Sequence, residues 1–151
     1  MAEWISDEEW EIIVRNVPIV SVDLVVLHDD GVVLGKRKNE PAKGEWFVPG
    51  GRVRKHERLR DAVHRIGKEE LGVDVEIIEF LGTYEHFYDT ADVAPSEGKH
   101  YLANGFVVRT TGEELAPDSQ HETVRTFHTP PEGLHRYVEQ YLEDASAYRE
   151  V

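Results

Sequence analysis

The sequence predicts an α/β sandwich built on a mixed sheet, in one domain spanning residues 1–151. Three observations lead there. Valine-rich, alternating stretches lie on both sides of a central helical pattern at 58–71. A second helical pattern follows Pro130-Pro131 near the other end. No internal repeat, low-complexity tract or linker-like run divides the chain.

The elements follow in order. Ser6-Asp-Glu-Glu9 reads as a capping box that opens a short helix, turning Trp10, Ile13 and Val14 toward a core, and Pro18 ends it. Ile19 to His28 is rich in Val and Leu, with Ser21 and Asp23 at alternate positions, and predicts a strand. Asp29-Asp30-Gly31 is a turn, and Val32 to Arg37 is the returning strand of a hairpin. A loop at 39–45 precedes a short strand at 46–48, stopped by Pro49-Gly50-Gly51. Leu59, Ala62, Val63, Ile66 and Leu71 share one helical face, and Gly72 follows at the C′ position. Residues 73–88 alternate like one or two strands broken at Gly82, 89–98 is a polar loop, and 101–109 and 124–127 are strands. The last helix runs from about Glu132 to Ala147.

Composition excludes several function classes. Hydrophobic residues make up 40% and charged residues 31%, which suits a globular core and not a disordered or fibrous chain. No apolar run approaches the ~20 residues of a membrane helix, and Met1-Ala2-Glu3-Trp4 lacks the pattern of a secretion signal, so a cytoplasmic protein with no membrane partner is expected. With no cysteine there is no disulfide, thiolate metal site or cysteine nucleophile, in keeping with a reducing compartment. The net charge of −13 repels nucleic acid and anionic membranes. Thirty acidic residues against only six lysines suit a surface bathed in concentrated salt, where screening removes self-repulsion, and point to a salt-rich cytosol.

The chemistry concentrates in residues 50–73, read as a strand end, a double-glycine loop, a helix and a glycine stop. Glycine at 50 and 51 lets backbone groups approach a ligand that any Cβ would block. Glu57 precedes the helix, Glu69 and Glu70 lie on its last turn, and Arg65 is an i,i+4 partner for Glu69. Carboxylates beside a glycine carbonyl suit a hard cation bound through oxygen, Mg²⁺ or Mn²⁺.

This segment resembles the Nudix box, G-x5-E-x7-R-E-U-x-E-E-x-G-U with U a bulky aliphatic residue. Gly51, Glu57, Arg65, Glu69, Glu70, Gly72 and Val73 match, seven of nine specified positions over 51–73. Chance agreement of that kind is on the order of one in a million per starting point. Ile66 stands in place of a Glu, and Gly67 in place of the aliphatic residue. The resemblance implies a Nudix-type α/β/α sandwich. The missing Glu, together with Pro18–Asp23, Leu34–Asn39, Pro41–Gly44, Trp46–Val53, His86–Asp89, His100-Tyr101 and Pro117–His121, is similar to the GDP-mannose mannosyl hydrolase subgroup, which lacks that Glu and attacks the sugar carbon.

What that resemblance implies is concrete. The metal ligands are the Gly50 carbonyl, Glu70 and Gln120, and Glu69 is either a further ligand or only the partner of Arg65. His121 is the general base, its neutral imidazole accepting a proton from water. Arg37 and Arg52 grip the pyrophosphate and stabilise the leaving group. Asp23, His86 and Tyr101 lie near the sugar and the leaving group, and Asp23, on an otherwise apolar strand, needs a polar partner if buried. The expected substrate is a nucleotide sugar, GDP-mannose or similar, and members of the subgroup are typically homodimers. Two alternatives stay open: a conventional Nudix pyrophosphohydrolase that cuts at phosphorus, and a Nudix domain that binds a nucleotide without turnover.

Overall fold

The computed structural model describes residues 5–39, 41–91, 98–112, 114–116 and 123–149. Helix α1 (Asp7–Asn16) leads into strands β1 (Ile19–His28), β2 (Gly31–Lys36), β3 (Trp46–Phe47) and β4 (Gly50–Arg52). Helix α2 (Leu59–Leu71) follows, then β5 (Val75–Tyr88), β6 (Lys99–Thr110), β7 (Val124–Phe127) and helices α3 (Arg136–Asp144) and α4 (Ser146–Arg149). The strands form one mixed sheet in the order β3-β2-β1-β6-β5, with β4 also on β1 and β7 also on β2.

Local chemistry accounts for the element ends. The Ser6 hydroxyl accepts the Glu9 amide at 3.2 Å, capping α1 as the box pattern predicts. Asp29 and Asp30 both take positive φ, 50° and 62°, as a two-residue hairpin loop requires. Gly72 caps α2 in the left-handed conformation at φ 74°.

The sheet is covered on both faces, giving the α/β/α layering. On one face α2 lays Ala62, Val63, Ile66 and Leu71 against Val22, Leu24, Val26, Phe106 and Val108. On the other, Val138, Tyr141 and Leu142 of α3 pack on Val25, Leu34, Phe47 and Val107. Alternation along β1 divides its side chains between the two cores. A third, small cluster of Val14, Ile19 and Ala91 seats α1 at one end.

Three details differ from the sequence reading. Gly50 and Gly51, read as a loop, form β4, pairing antiparallel with β1 as Asp23↔Gly50 and Ser21↔Arg52. Residues 75–88 are one strand: Gly82, at φ 132°, accommodates a register shift against β6 and does not end the pairing. The terminal helix breaks at Ala145 into α3 and α4.

Gly72 yields a test of the box's structural half. A Cβ there is strained by the positive φ and collides with the Ala116 carbonyl, whose own residue donates its amide to Leu71 O at 2.7 Å. A left-handed non-glycine residue costs about 1–2 kcal/mol before any collision. Gly72→Ala is therefore expected to lower Tm by several degrees, at ~2–4 °C per kcal/mol for a chain of this size. Gly112→Ala, at φ 90° but in open space, should cost less. Equal losses in thermal melts would show that the Ala116 contact contributes nothing.

Candidate active site

One edge of β1 pairs with parallel β6 along residues 19–27. The other edge is shared, β4 taking residues 21–23 and β2 taking 26–28. Residues from both sides of that handover line a cleft of about 180 Å³, among them Asp23, Arg37, Phe47, Gly50, Arg52, His86 and Tyr101. Six residues singled out from the sequence thus meet in one cavity.

Asp23 lies at its polar end. Its Oδ2 accepts the Tyr141 hydroxyl at 2.7 Å and lies 4.0 Å from His86 Nδ1. Burial pushes the carboxyl up to about 6, against the lowering effects of the Tyr141 hydrogen bond and the Arg37 charge. His86 is 3% exposed and stacks on the Tyr137 ring at 3.9 Å. Burial, with the nearby His135 and Arg136 charges, lowers its pKa to about 4, so it is neutral at pH 7. Arg37 is held by its Nε donating to Pro41 O at 2.6 Å, with its guanidinium carbon 5.8 Å from the Phe47 ring centroid.

The box helix meets the cleft at β4. Arg65 Nε and Nη2 donate to both oxygens of Glu57 at 2.8 and 2.9 Å, and Nη2 also donates to the Arg52 carbonyl at 2.9 Å. Hydrogen bonding from Arg65 holds the Glu57 carboxyl below its usual range. Glu69 pairs with Arg65 at 3.1 Å and with Arg54 at 3.6 Å. Glu57 and Glu69 are thus engaged by arginines, while Glu70 lies one turn beyond Ile66 on the helix. Ile66 is 1% exposed, and its Cδ1 lies 3.0 Å from where a Gly51 Cβ would stand. Gly67 abuts Val75, whose methyl carbons lie 3.0–3.1 Å from its notional Cβ. Both departures from the box are therefore packing positions: the larger residue fills the space at Gly51, and the glycine admits β5.

The donor set fits a hard cation. Gly50 has no room for a Cβ, which would collide with the Asp23 carboxyl and meet the Val22 carbonyl oxygen at 2.6 Å. Gly50 lines the cleft beside Asp23. No group of three His, Asp or Glu side chains that could hold a metal occurs among the described residues. Backbone carbonyl and carboxylate oxygens are the donors that Mg²⁺ takes, and it keeps several waters where a protein supplies few ligands. Gln120 and His121 lie outside the described residues.

The NUDIX domain family model matches residues 17–149. The chain belongs to the Nudix family. Nudix hydrolases generally use divalent metal ions such as Mg²⁺. The chain is 59% identical over 139 residues to the Low-salt glycan biosynthesis protein Agl8 of Haloferax volcanii, covering 92% of this chain and 89% of that protein. An ADP-ribose pyrophosphatase of Methanocaldococcus jannaschii is 36% identical over 98 residues, 65% of this chain and 54% of its own length. Among solved structures, a MutT NUDIX hydrolase from Burkholderia pseudomallei superposes with a TM-score of 0.69 at 27% identity, covering 84% of this Nudix chain and 97% of that one. No helix among the described residues is long and apolar enough to cross a membrane.

Two residues behind the cleft escape a reading of the sequence, Tyr141 against Asp23 and Tyr137 against His86; Trp10, read as facing a core, packs on one and also lines the cleft. One signal for the first was present. Gly105, inside a strand, marks a close approach, and a Cβ there would stand 2.7 Å from Tyr141 Cε1.

Asp23 and His86 give opposite pH dependences. Between pH 6 and about 4 the folded protein holds a proton on Asp23 that the unfolded chain releases, so this group adds stability as pH falls. Between 6.5 and about 4 the unfolded chain binds a proton that buried His86 refuses, so this group removes stability over nearly the same window. His86→Asn should therefore gain on the parent as pH falls from 7 to 4.5, by up to about 1.4 kcal/mol per pH unit. Denaturant melts at both pH values measure this, and a constant difference would show that His86 titrates normally.

Proposed function

We propose that this Nudix protein hydrolyses a nucleotide sugar, GDP-mannose or a close analogue, to a nucleoside diphosphate and free sugar by attack of water at the anomeric carbon. The observation that carries the reading is Ile66. The position that holds a metal-side Glu in the box is a buried hydrocarbon packed on Gly51. Attack at phosphorus would lack that carboxylate, whereas attack at carbon does not call on it. The similarity to a protein named for glycan biosynthesis supports a sugar-bearing substrate.

In this mechanism the Gly50 carbonyl, Glu70 and Gln120 would hold Mg²⁺, which when bound neutralises the diphosphate so that it leaves as a stable anion. Arg37 and Arg52 bind the diphosphate oxygens through charge-assisted hydrogen bonds. Asp23, neutral His86 and Tyr101 bind and orient the sugar. His121 accepts the proton from water as the water oxygen bonds to the anomeric carbon. The carbon–oxygen bond to the diphosphate breaks with its electron pair going to the phosphate oxygen. A single displacement inverts the anomeric centre. The same reading takes the protein to be a cytoplasmic homodimer.

One observation favours a second reading: similarity to an ADP-ribose pyrophosphatase supports conventional cleavage at phosphorus. Hydrolysis in ¹⁸O water separates the two. Label in the sugar, with an inverted anomer, is the expected result, and label in the nucleotide phosphate overturns it. His121→Gln should slow turnover by roughly 10²–10⁴-fold, the usual worth of a general base, with GDP affinity unchanged. Parent-like turnover by that variant would remove His121 from the reaction.

A further inference from the structure

The net charge of the protein opposes the substrate proposed for it. A diphosphate is an anion, and a chain of net charge −13 repels anions over most of its surface. The charges are segregated along the chain. Residues 36–68 hold eleven of the seventeen Lys and Arg side chains but only four of the thirty acids. Acids gather elsewhere, with Asp7, Glu8 and Glu9 opening α1 and Glu139, Glu143 and Asp144 along α3. The cationic segment supplies one wall of the cleft, from Arg37 just past β2 to Arg52 on β4. Among the described residues that line the cleft, Asp23 is the single acid.

Arg37 and Arg52 have a role in the proposed reaction, but the cations of the turn after β4 have none. Lys55 and Arg58 are exposed there. The turn is closed on itself: the Glu57 amide donates to the Arg54 carbonyl at 3.0 Å, and the Arg54 amide donates to Glu57 Oε1 at 3.0 Å. Arg65 Nη2 donates to Glu57 Oε1 and to the Arg52 carbonyl, each at 2.9 Å. One nitrogen therefore pins the turn to the strand whose Arg52 lines the cleft. Three residues of chain reach at most ~11 Å, so the Lys55 backbone lies about one Debye length from that of Arg52 at 0.1 M salt. Charges on this turn are felt at the cleft under those conditions. At 1 M salt the Debye length is only ~3 Å, and they are not.

We propose that Lys55 and Arg58 are capture residues, which draw an anionic diphosphate to the cleft through solvent and hand it to Arg52 without holding it in the bound state. The basic turn offsets, at the one place where substrate enters, the repulsion exerted by the rest of the surface. The inference rests on the nucleotide-substrate reading but not on which bond is cut.

Stopped-flow binding of N-methylanthraniloyl-GDP in Mg²⁺ buffer tests it, with parent-like circular dichroism required of each variant. At 0.1 M salt, K55E/R58E should slow association by about tenfold, the low end of what a focused field supplies, and leave dissociation within about twofold. At 1 M salt parent and variant should converge. Arg109→Glu makes the same change of charge as Arg58→Glu at the far end of β6, ~26 Å along the strand from Tyr101, and should slow association less than Arg58→Glu does. If the double variant does not fold, Lys55→Gln and Arg58→Gln are measured singly, each with a smaller loss in the same direction. A loss that persists at 1 M salt, or one carried by dissociation, identifies direct contacts and overturns capture. Equal slowing by Arg109→Glu and Arg58→Glu also overturns it, as does a parent chain that is unfolded at 0.1 M salt. Parent-like association by the variants overturns this inference alone. No binding by the unsubstituted protein overturns the nucleotide reading and this inference with it.

Discussion

The pairing of β1 on both edges is the constraint from which the site follows. Its parallel bond with β6 is continuous, whereas its other edge passes from β4 to β2. Where one partner gives way to the next, the sheet cannot present an unbroken surface, and the cleft lies there. Asp23 sits at that point, paired with β4 on one edge and β6 on the other, and its buried carboxyl needs a donor from elsewhere. The hydroxyl of Tyr141 meets that need from α3. Burying a carboxyl at this junction also dictates glycine opposite it, because Gly50 has no room for even one more carbon.

A second centre organises the other wall. Arg65 carries hydrogen bonds to Glu57, Glu69 and the Arg52 carbonyl, tying the start of the box, its last helical turn and β4 to one guanidinium. Because the fork is planar and its partners are partly buried, these bonds set relative position as well as contributing energy. Much of the box's acidic character is thus spent on architecture. The position that departs from it, Ile66, belongs to the core that α2 shares with the sheet.

How much was legible depended on the range of the interaction. The cap at Ser6, the turn at Asp29-Asp30, the Arg65–Glu69 pair and the stop at Gly72 involve neighbours in sequence, and their spacing announced them. The convergence of Asp23, Arg37, Arg52, His86 and Tyr101 was legible only through resemblance to a family, since no local pattern relates residues so far apart. Gly50 and Gly51 were misread as loop because glycine weakens strand propensity, while β1 supplied a ready edge that overrode it. Trp10 does pack against a core cluster, as its helical spacing predicted, but that spacing could not show that it also borders a cavity. Gly82 suggested a break, yet a glycine at a bulge lets a long strand continue.

The bond between Asp23 and Tyr141 joins residues 118 positions apart. On the ribosome, the strand bearing the acid emerges long before the helix bearing its hydrogen-bond donor. Until α3 docks, that acid faces water as an ordinary ionised carboxylate, and His86 lacks the Tyr137 ring against which it stacks. The floor of the cleft is thus made well before its supporting back wall. A chain that stops short of α3 lacks the side chains behind Asp23 and His86, so the pocket is completed when that helix docks and not gradually with length.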